Sequence, residues 1–408
     1  MDQSTTLIEP GFRRFIIRLV AFFSLALAVM NLYIADSSFN EIMHTVSQTT
    51  WSLNWISIIY SLGCLVIMPF CTGLAGLLGQ RKLFLLTFLI FAIFSFCSAN
   101  ATHMNALLIF RFFQGIAGGS MIILSHTLLI ESWPTEKRGI AQLFALLAFS
   151  SIIFARTIGG SITDDYSWPI IFIINIPWCI ILGTAGLVIP RNVEYERQED
   201  WMANLLLMTG AAALYLGVKG NTEPYGAITP LRISLCIVGI ISWTLFIWRH
   251  FRTASRQGKV ALLKNKNVAI GLGLGFITII GVIIIAEYIL SSSRLSKMSG
   301  EMPLWPVVPL TIVMIFTIAL TIRKMESMKY LIGTGFLLFG MTILLSILRC
   351  YAEVFWLVMS ATMAIALLSF SLTTLTFSKL HGRQVSEAVA LYNIIMKLAI
   401  VLGYLMIF

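Results

Sequence analysis

Charge is scarce in this sequence. Only 11% of the 408 residues are Asp, Glu, Lys or Arg, against about 25% in soluble domains. Hydrophobic residues make up 58% and mean hydropathy is +0.90. A soluble protein of this length could not hide so much apolar surface, and a disordered chain would be more polar. The period-two alternation of outer-membrane strands is also missing. Cysteine is sparse: Cys64, Cys71, Cys97, Cys179, Cys236 and Cys350 sit in or at the ends of apolar runs, and none forms a Cys-x-x-Cys pair. They read as small core residues, not as a disulfide frame or metal site. There is no phosphate-cradling loop, no Gly-x-Ser-x-Gly elbow and no His/Cys/Asp group with metal-ligand spacing. Neither an enzyme nor a bound cofactor or metal is expected.

Long apolar runs are what the chain does have, and a membrane span needs roughly 20 such residues. Thirteen runs are found, at about 15–36, 53–77, 83–99, 104–130, 139–163, 168–190, 201–218, 229–248, 268–290, 303–322, 328–348, 352–378 and 387–408. The first follows Arg13 and Arg14 and lacks a small-residue cleavage site, so it is expected to be a retained helix. The predicted fold is an all-α polytopic bundle.

The net charge of +10 would suggest nucleic acid in a soluble protein. Here it is read as cytoplasmic loops. With the N-terminus inside, only Lys219, Arg232, Arg294, Lys297 and Arg349 fall outside, and Arg111, Arg156 and Lys397 fall within spans. The remaining lysines and arginines are inside, which makes N-inside the expected orientation. The basic segment 249–267 is read mainly as an orientation signal, with anionic lipid headgroups as its other possible partner. Trp51, Trp55, Trp168 and Trp305 are placed at the membrane interfaces.

An ionised side chain at mid-bilayer costs at least ~2.5–3.5 kcal/mol. Residues carrying that cost are candidates for function: Arg111, Arg156 and Lys397 within spans, Asp36 and Glu287 at span ends, and His126 toward the inner end of span four. At ~1.5 Å per residue, Arg111 and Arg156 both lie ~10 Å below the outer side, on consecutive antiparallel helices. A polar cavity in the outer half follows as an expectation. The competing reading has each arginine snorkelling to headgroups. Gly115-x-x-x-Gly119 and Gly271-x-x-x-Gly275 are spaced for close helix approach.

Several segments resemble the major facilitator superfamily. LLIFRFFQGIAGGS (107–120) resembles its span-four Arg-x-x-Gln-Gly motif, and ESWPTEKRGIA (131–141) the inner loop that follows. IGGSITDDYSWPIIFIINIP (158–177), LLKNKN (262–267) and SEAVALYNIIMK (386–397) look like parts of the fourteen-helix drug:proton antiporter branch. The resemblance implies two six-helix bundles with two extra helices between them. It also implies alternation between inward- and outward-open states and proton-linked exchange of small amphipathic solutes. Arg111 matches the arginine tied to proton coupling, and Gln114 and Gly115 match its motif partners. Domain boundaries follow as 1–190 for the first bundle, 191–250 for the linker pair and 251–408 for a second bundle of five helices, the fourteenth helix being absent.

The chain also departs from that pattern. In the gating loop TGLAGLLGQRK (72–82), Gly79, Arg81 and Lys82 fit, while Gly76 and Leu77 replace an acidic and a basic residue. The span-five motif keeps Gly159 and Gly160, but Ala155-Arg156 stands for Gly-Pro. The span-one Asp and Asn are exchanged, as Asn31 and Asp36, and Lys397 stands where an arginine is usual. The function expected is proton-coupled efflux of drugs or other small amphipathic solutes across the inner (plasma) membrane. Its partners would be a small-molecule substrate, protons and the lipid bilayer, with no nucleic acid and with accessory efflux proteins left unspecified. Two alternatives stand beside it: a transporter of an anionic solute, and a degenerate or truncated membrane protein that transports nothing.

Overall fold

The computed structural model describes residues 11–46, 55–190, 200–219, 230–252, 262, 265–291, 327–347, 354–377, 380 and 383–405. Among them every regular element is helical, as the sequence predicts. Each predicted run carries a described helix except 303–322, which lies outside the described residues. Trp51, Trp305, Cys350 and eleven of the twenty-five charges behind the orientation argument lie outside them as well. Five described helices are long and apolar enough to cross a membrane, or six if one bent pair is a single span.

The helices are α1 (Gly11–Met30), α2 (Phe39–Val46), α3 (Trp55–Ile67), α4 (Cys71–Leu78), α5 (Gln80–Ala99) and α6 (Met104–Glu131). Then come α7 (Arg138–Phe149), α8 (Ser151–Asp165), α9 (Ile170–Ile173), α10 (Asn175–Ala185), α11 (Trp201–Lys219) and α12 (Pro230–Arg252). The last are α13 (Lys266–Ser291), α14 (Ser327–Ile347), α15 (Val354–Phe377) and α16 (Arg383–Leu405). A 3-10 turn, Ile34–Asp36, follows α1.

Two runs expected to be single spans are broken, each for a local reason, and a third is interrupted at one residue while remaining a single span. Between α3 and α4 the axis bends by 57°. Pro69 sits in that break; it has no N–H to donate and its ring crowds the preceding turn. At the junction of α7 and α8 stand Ser150 and Ser151. The Ser150 hydroxyl donates to Leu147 O (2.7 Å), competing with the helix's own ladder, and that of Ser151 donates to Ala26 O of α1 (3.0 Å). In the third, Ile170–Val188, the interruption between α9 and α10 falls at Ile174, next to the Ile173 carbonyl that Pro177 crowds.

The chain divides into two compact units. The first holds Met1–Pro134, Leu147–Ala261 and His381–Ile394; the second holds Thr135–Leu146, Leu262–Leu380 and Ile395–Phe408. This partition does not follow the linear boundaries 1–190, 191–250 and 251–408.

In the first unit α3 and α6 pack almost backbone to backbone. A Cβ on Gly115 would collide with the Tyr60 backbone, and one on Gly119 would lie 2.6 Å from Cys64 Cα. Across the seam a Cβ on Gly63 would strike the Phe112 carbonyl. The spacing at 115 and 119 therefore has the physical use predicted for it. α11 and α12 form a hairpin notched in the same way, with Gly210 under Trp243 and Gly239 under Leu214. An arginine closes each end of that hairpin. Arg232 Nε donates to Gly217 O at 3.0 Å, and Arg249 holds Asp200 through two nitrogens at 3.0 and 3.1 Å.

In the second unit α13 packs on α15, where Gly271 lies against Thr376 and Leu372. Gly275 faces Met396, whose Cε lies 2.8 Å from the place a Cβ would take. Arg138 is buried and donates from Nη1 to the Phe377 carbonyl (3.0 Å) and to that of Leu380. A cation therefore meets the bare carbonyls at the C-terminal end of α15, where the helix dipole favours it.

Trp168 departs from the expected interfacial role. It is 5% exposed and packs edge-on against Phe172 within a cluster that includes Phe39, Ile42, Ile56 and Leu107. A belt tryptophan would present its ring to lipid; this one is a core residue.

Candidate functional site

Arg111 is fully buried, at 0% exposure, in the first third of α6. It does not snorkel; its partners come from the protein. Nη2 donates to the Asn31 carbonyl at 2.7 Å and Nη1 to Gln114 Oε1 at 2.8 Å. The guanidinium lies 4.3 Å from the Tyr60 ring centroid and 5.5 Å from that of Phe172. Both distances fall within the range where the quadrupole of an aromatic face attracts a cation.

Gln114 sits one helical turn beyond Arg111, so the two share a face of α6. Its amide nitrogen donates to Ser95 Oγ on α5 at 2.6 Å. Asn175, at the start of α10, donates to the same oxygen at 3.3 Å. Asn31 and Asn175 exchange amide hydrogen bonds at 2.9 and 3.0 Å. Asn31, Ser95, Arg111, Gln114 and Asn175 are all at 0% exposure. They form a connected polar layer that ties α5, α6 and α10 to the end of α1, with Arg111 Nε making no hydrogen bond. Such a layer is strong while every member is satisfied and costly once one partner is removed.

The hydrogen-bond partners of Arg111 are neutral. Asp36, in the turn after α1, accepts from the Ser57 hydroxyl, and its charge acts on Arg111 through space. Tyr60, whose ring faces Arg111, donates to Ala28 O at 2.9 Å. This fixes the ring against the backbone of α1. A guanidinium stays charged at any working pH, so it cannot carry a proton itself. Asp36 is the neighbouring group that can.

The other predicted residues are placed as follows. Gly159 packs against Ile34 and Ser37, and Gly160 lies in looser contact with Ser37 Cβ (3.8 Å). Gly79, at φ 81°, separates α4 from α5, a backbone shape that glycine adopts without strain. Arg81 is half-buried and Lys82 exposed in the first turn of α5. His126 is buried, with its ring edge-on to Phe149 (5.8 Å) and Tyr392 (6.4 Å). Lys397 is half-buried on α16. Arg156 lies on α8 and Glu287 on α13, but their side chains are outside the described residues. The expected pairing of Arg111 and Arg156 at one depth therefore has no described geometry. Among the described residues no group of three or more His, Cys, Asp or Glu could hold a metal ion.

Ser57, Tyr60, Ser95 and Asn175 were not singled out from the sequence. Asn175 had a usable signal, as the one amide in the run IIFIINIPWCII. Serine and tyrosine inside apolar helices are too common for their positions to stand out.

The family model described as Major Facilitator Superfamily matches residues 19–404. The "Colistin resistance protein EmrB" of Acinetobacter baumannii is 28% identical over 250 residues, covering 59% of this chain and 48% of that protein. The "Multidrug export protein EmrB" of Escherichia coli K12 is 28% identical over 253 residues, or 60% and 49%. The chain thus spans about half the length of these curated relatives. The "Fatty acid resistance protein FarB" of Neisseria gonorrhoeae is 26% identical over 382 residues, or 90% and 74%. Among solved structures, the proton:xylose symporter XylE bound to 6-bromo-6-deoxy-D-glucose matches with TM-score 0.61 at 14% identity, covering 97% of this chain and 88% of that one. The human organic anion transporter MFSD10 matches with TM-score 0.63 at 14% identity, or 98% and 93%. At that identity the two structures speak for the fold alone. With its family model matched over nearly the whole length and its fold shared with solved members, this chain belongs to the Major Facilitator Superfamily.

Proposed function

We propose that this protein is a proton-coupled exporter of small amphipathic molecules, set in the inner membrane with its N-terminus in the cytoplasm. One observation carries the reading: a permanently charged arginine is held at 0% exposure by neutral ligands, within electrostatic reach of one carboxylate. A buried cation of that kind is expensive as packing material, and intramembrane charges mark ion pathways far more often than structure. Arg111 supplies a fixed field. Asp36 gains and loses the proton, and the Asn31–Asn175–Ser95–Gln114 layer passes the change to α1, α5 and α10.

Relatives named for multidrug export and for fatty acid resistance put amphipathic molecules first among substrates. Arg81, Lys82 and Gly79 serve as the gating segment in this reading. Arg156, Glu287 and Lys397 are further charge-bearing positions of the transport path.

A second reading, export of an anion, is favoured by the absence of any carboxylate among the hydrogen-bond partners of Arg111. Proteoliposomes carrying an imposed pH gradient test both readings. Gradient-driven uptake of tetraphenylphosphonium supports the first. Uptake of a hydrophilic anion such as citrate in its place supports the second. Movement of neither, in a folded preparation, overturns transport of both classes.

A further inference from the structure

Three connections at one end of the first unit fold back over it: the turn and α2 after α1, the α5–α6 connection and the α8–α9 connection. Connections are ordinarily solvated. These bury their apolar side chains together. Helix α2 buries Phe39, Ile42 and Val46, which share one helical face, while Asn40, His44 and Thr45 are exposed. Ala99 and Ala101 from the second connection and Trp168 from the third belong to the same cluster. The hydroxyls of Ser38 and Thr163 are hydrogen-bonded, which pins the start of α2 to α8. This apolar cap reaches down to the buried charge. Leu107, one turn before Arg111 on α6, belongs to it. So does Phe172, whose ring centroid lies 5.5 Å from the guanidinium. Trp168 meets Phe172 edge-on, with centroids 6.1 Å apart, and so restricts the movement of that ring. Arg111 Nε makes no hydrogen bond, so a water molecule that reached the layer would be held there. Asp36 stands differently. Its neighbour Ala35 is inside the cluster, but Asp36 itself is half-buried, with Ser57 donating to it. The cap covers the fixed charge and leaves the carboxylate at its rim.

We propose that this cap is the outer proton seal of the coupling site, with Trp168 and Phe172 as positioning residues that keep water off Arg111 and leave Asp36 as the way in for a proton. The proposal rests on the reading of Asp36 as the group that exchanges the proton. A coupled exporter has to stop protons from running down their gradient without cargo, and a file of water past Arg111 would let them through. Alkyl and aromatic walls prevent this, because a water molecule settles only where it finds ~2–4 polar partners. The seal also explains why a tryptophan from a connection is buried. Its edge holds the Phe172 ring over the guanidinium, and α2 covers it from the side away from the bundle.

The test is passive proton entry into proteoliposomes of the full chain, with a pH-sensitive dye inside, an acid step outside, no substrate and the membrane potential held at zero. The parent should leak no faster than protein-free vesicles. Trp168→Gln puts an amide where the indole stood and gives water a partner. Its leak should rise about tenfold, which is a barrier lower by ~1.36 kcal/mol. Trp168→Leu removes the same ring but leaves an apolar space, which stays dry, and it should leak like the parent even though it melts lower. Leu107→Gln places an amide in the same cap from α6 and should leak as Trp168→Gln does, which covers a failure of that variant to fold. The leak should also survive when Asp36→Asn is added, because the water passes the carboxylate by. A parent-like rate in folded Trp168→Gln or Leu107→Gln overturns the seal. So does an equal leak in Trp168→Leu, which would make packing the cause, or a leak that Asp36→Asn removes. Asp36→Asn alone should abolish gradient-driven uptake of tetraphenylphosphonium. If that uptake persists, the reading of Asp36 falls, and with it the route assigned to the proton, while the leak rates still decide whether the cap is a seal.

Discussion

Asn31 and Asn175 exchange two amide hydrogen bonds at 0% exposure, 144 residues apart in the chain. The same Asn31 presents its backbone carbonyl to Arg111 at 2.7 Å. A side-chain pair thus positions the carbonyl that holds the buried charge. Removing one amide should unsettle the other. Asn175→Ala leaves the Asn31 side chain short of a partner in an apolar bundle, a cost of about 1–3 kcal/mol. Thermal unfolding in detergent should show that loss. Asn175→Leu, which also fills the volume, should cost as much; if it is as stable as the parent, the pair is not holding α10 to α1.

Arg111→Ala should abolish gradient-driven flux, down to the level of protein-free liposomes, while the protein still reaches the membrane. Arg111→Lys should not rescue it. An ammonium cannot reach Asn31 O and Gln114 Oε1 from one planar fork or lie flat on the Tyr60 ring. Flux in Arg111→Lys close to the parent would show that a point charge suffices and that the fork geometry is incidental.

Among the described residues, Asp200 is the one titrating group outside the spans whose environment has a clear direction. Partial burial pushes its carboxyl up. Hydrogen bonds from Arg249 and from the Ala203 N–H outweigh that and hold it below the usual carboxylate range. A depressed value in the folded state means the contribution is present above the ordinary carboxylate pKa and is lost as pH falls through the lowered one. The pair is more than a third exposed, so it contributes at most ~1 kcal/mol. Protection of the first turn of α11 against hydrogen exchange, taken relative to the intrinsic rate at each pH, should fall at low pH and in Asp200→Asn. Indifference to both would show that the cap and the clamp do not secure that helix end.

Much of this was legible in the sequence, and the boundary has a physical cause. Apolar runs show spans because the bilayer demands them, and Arg111 stood out because lipid penalises charge. The break at Ser150 was not visible, since a hydropathy window averages over a serine pair. Trp168 looked like a belt residue because sequence gives depth along a helix and not the direction a ring faces. The polar layer was half legible. Asn31, Arg111 and Gln114 came through motif spacing. Ser95 and Tyr60 gain meaning only when α5 and α3 are brought beside α6, which is tertiary information.

Gly115 separates packing from chemistry. It stands four residues from Arg111 and directly against the Tyr60 backbone, so a larger side chain must push α3 and α6 apart. Gly115→Val should therefore lower stability by more than the ~1–3 kcal/mol typical of overpacking, because the obstacle is backbone and cannot change rotamer. Displacing α3 also withdraws the Tyr60 ring from Arg111, so coupling should fail together with stability. Gly160→Ala is the matched control. Its Cβ meets only Ser37 Cβ at 3.8 Å, an ordinary contact, and it should leave both melting temperature and flux within error. Should Gly115→Val melt like the parent, the close approach of α3 and α6 is wrong, and the placement of Tyr60 over Arg111 goes with it.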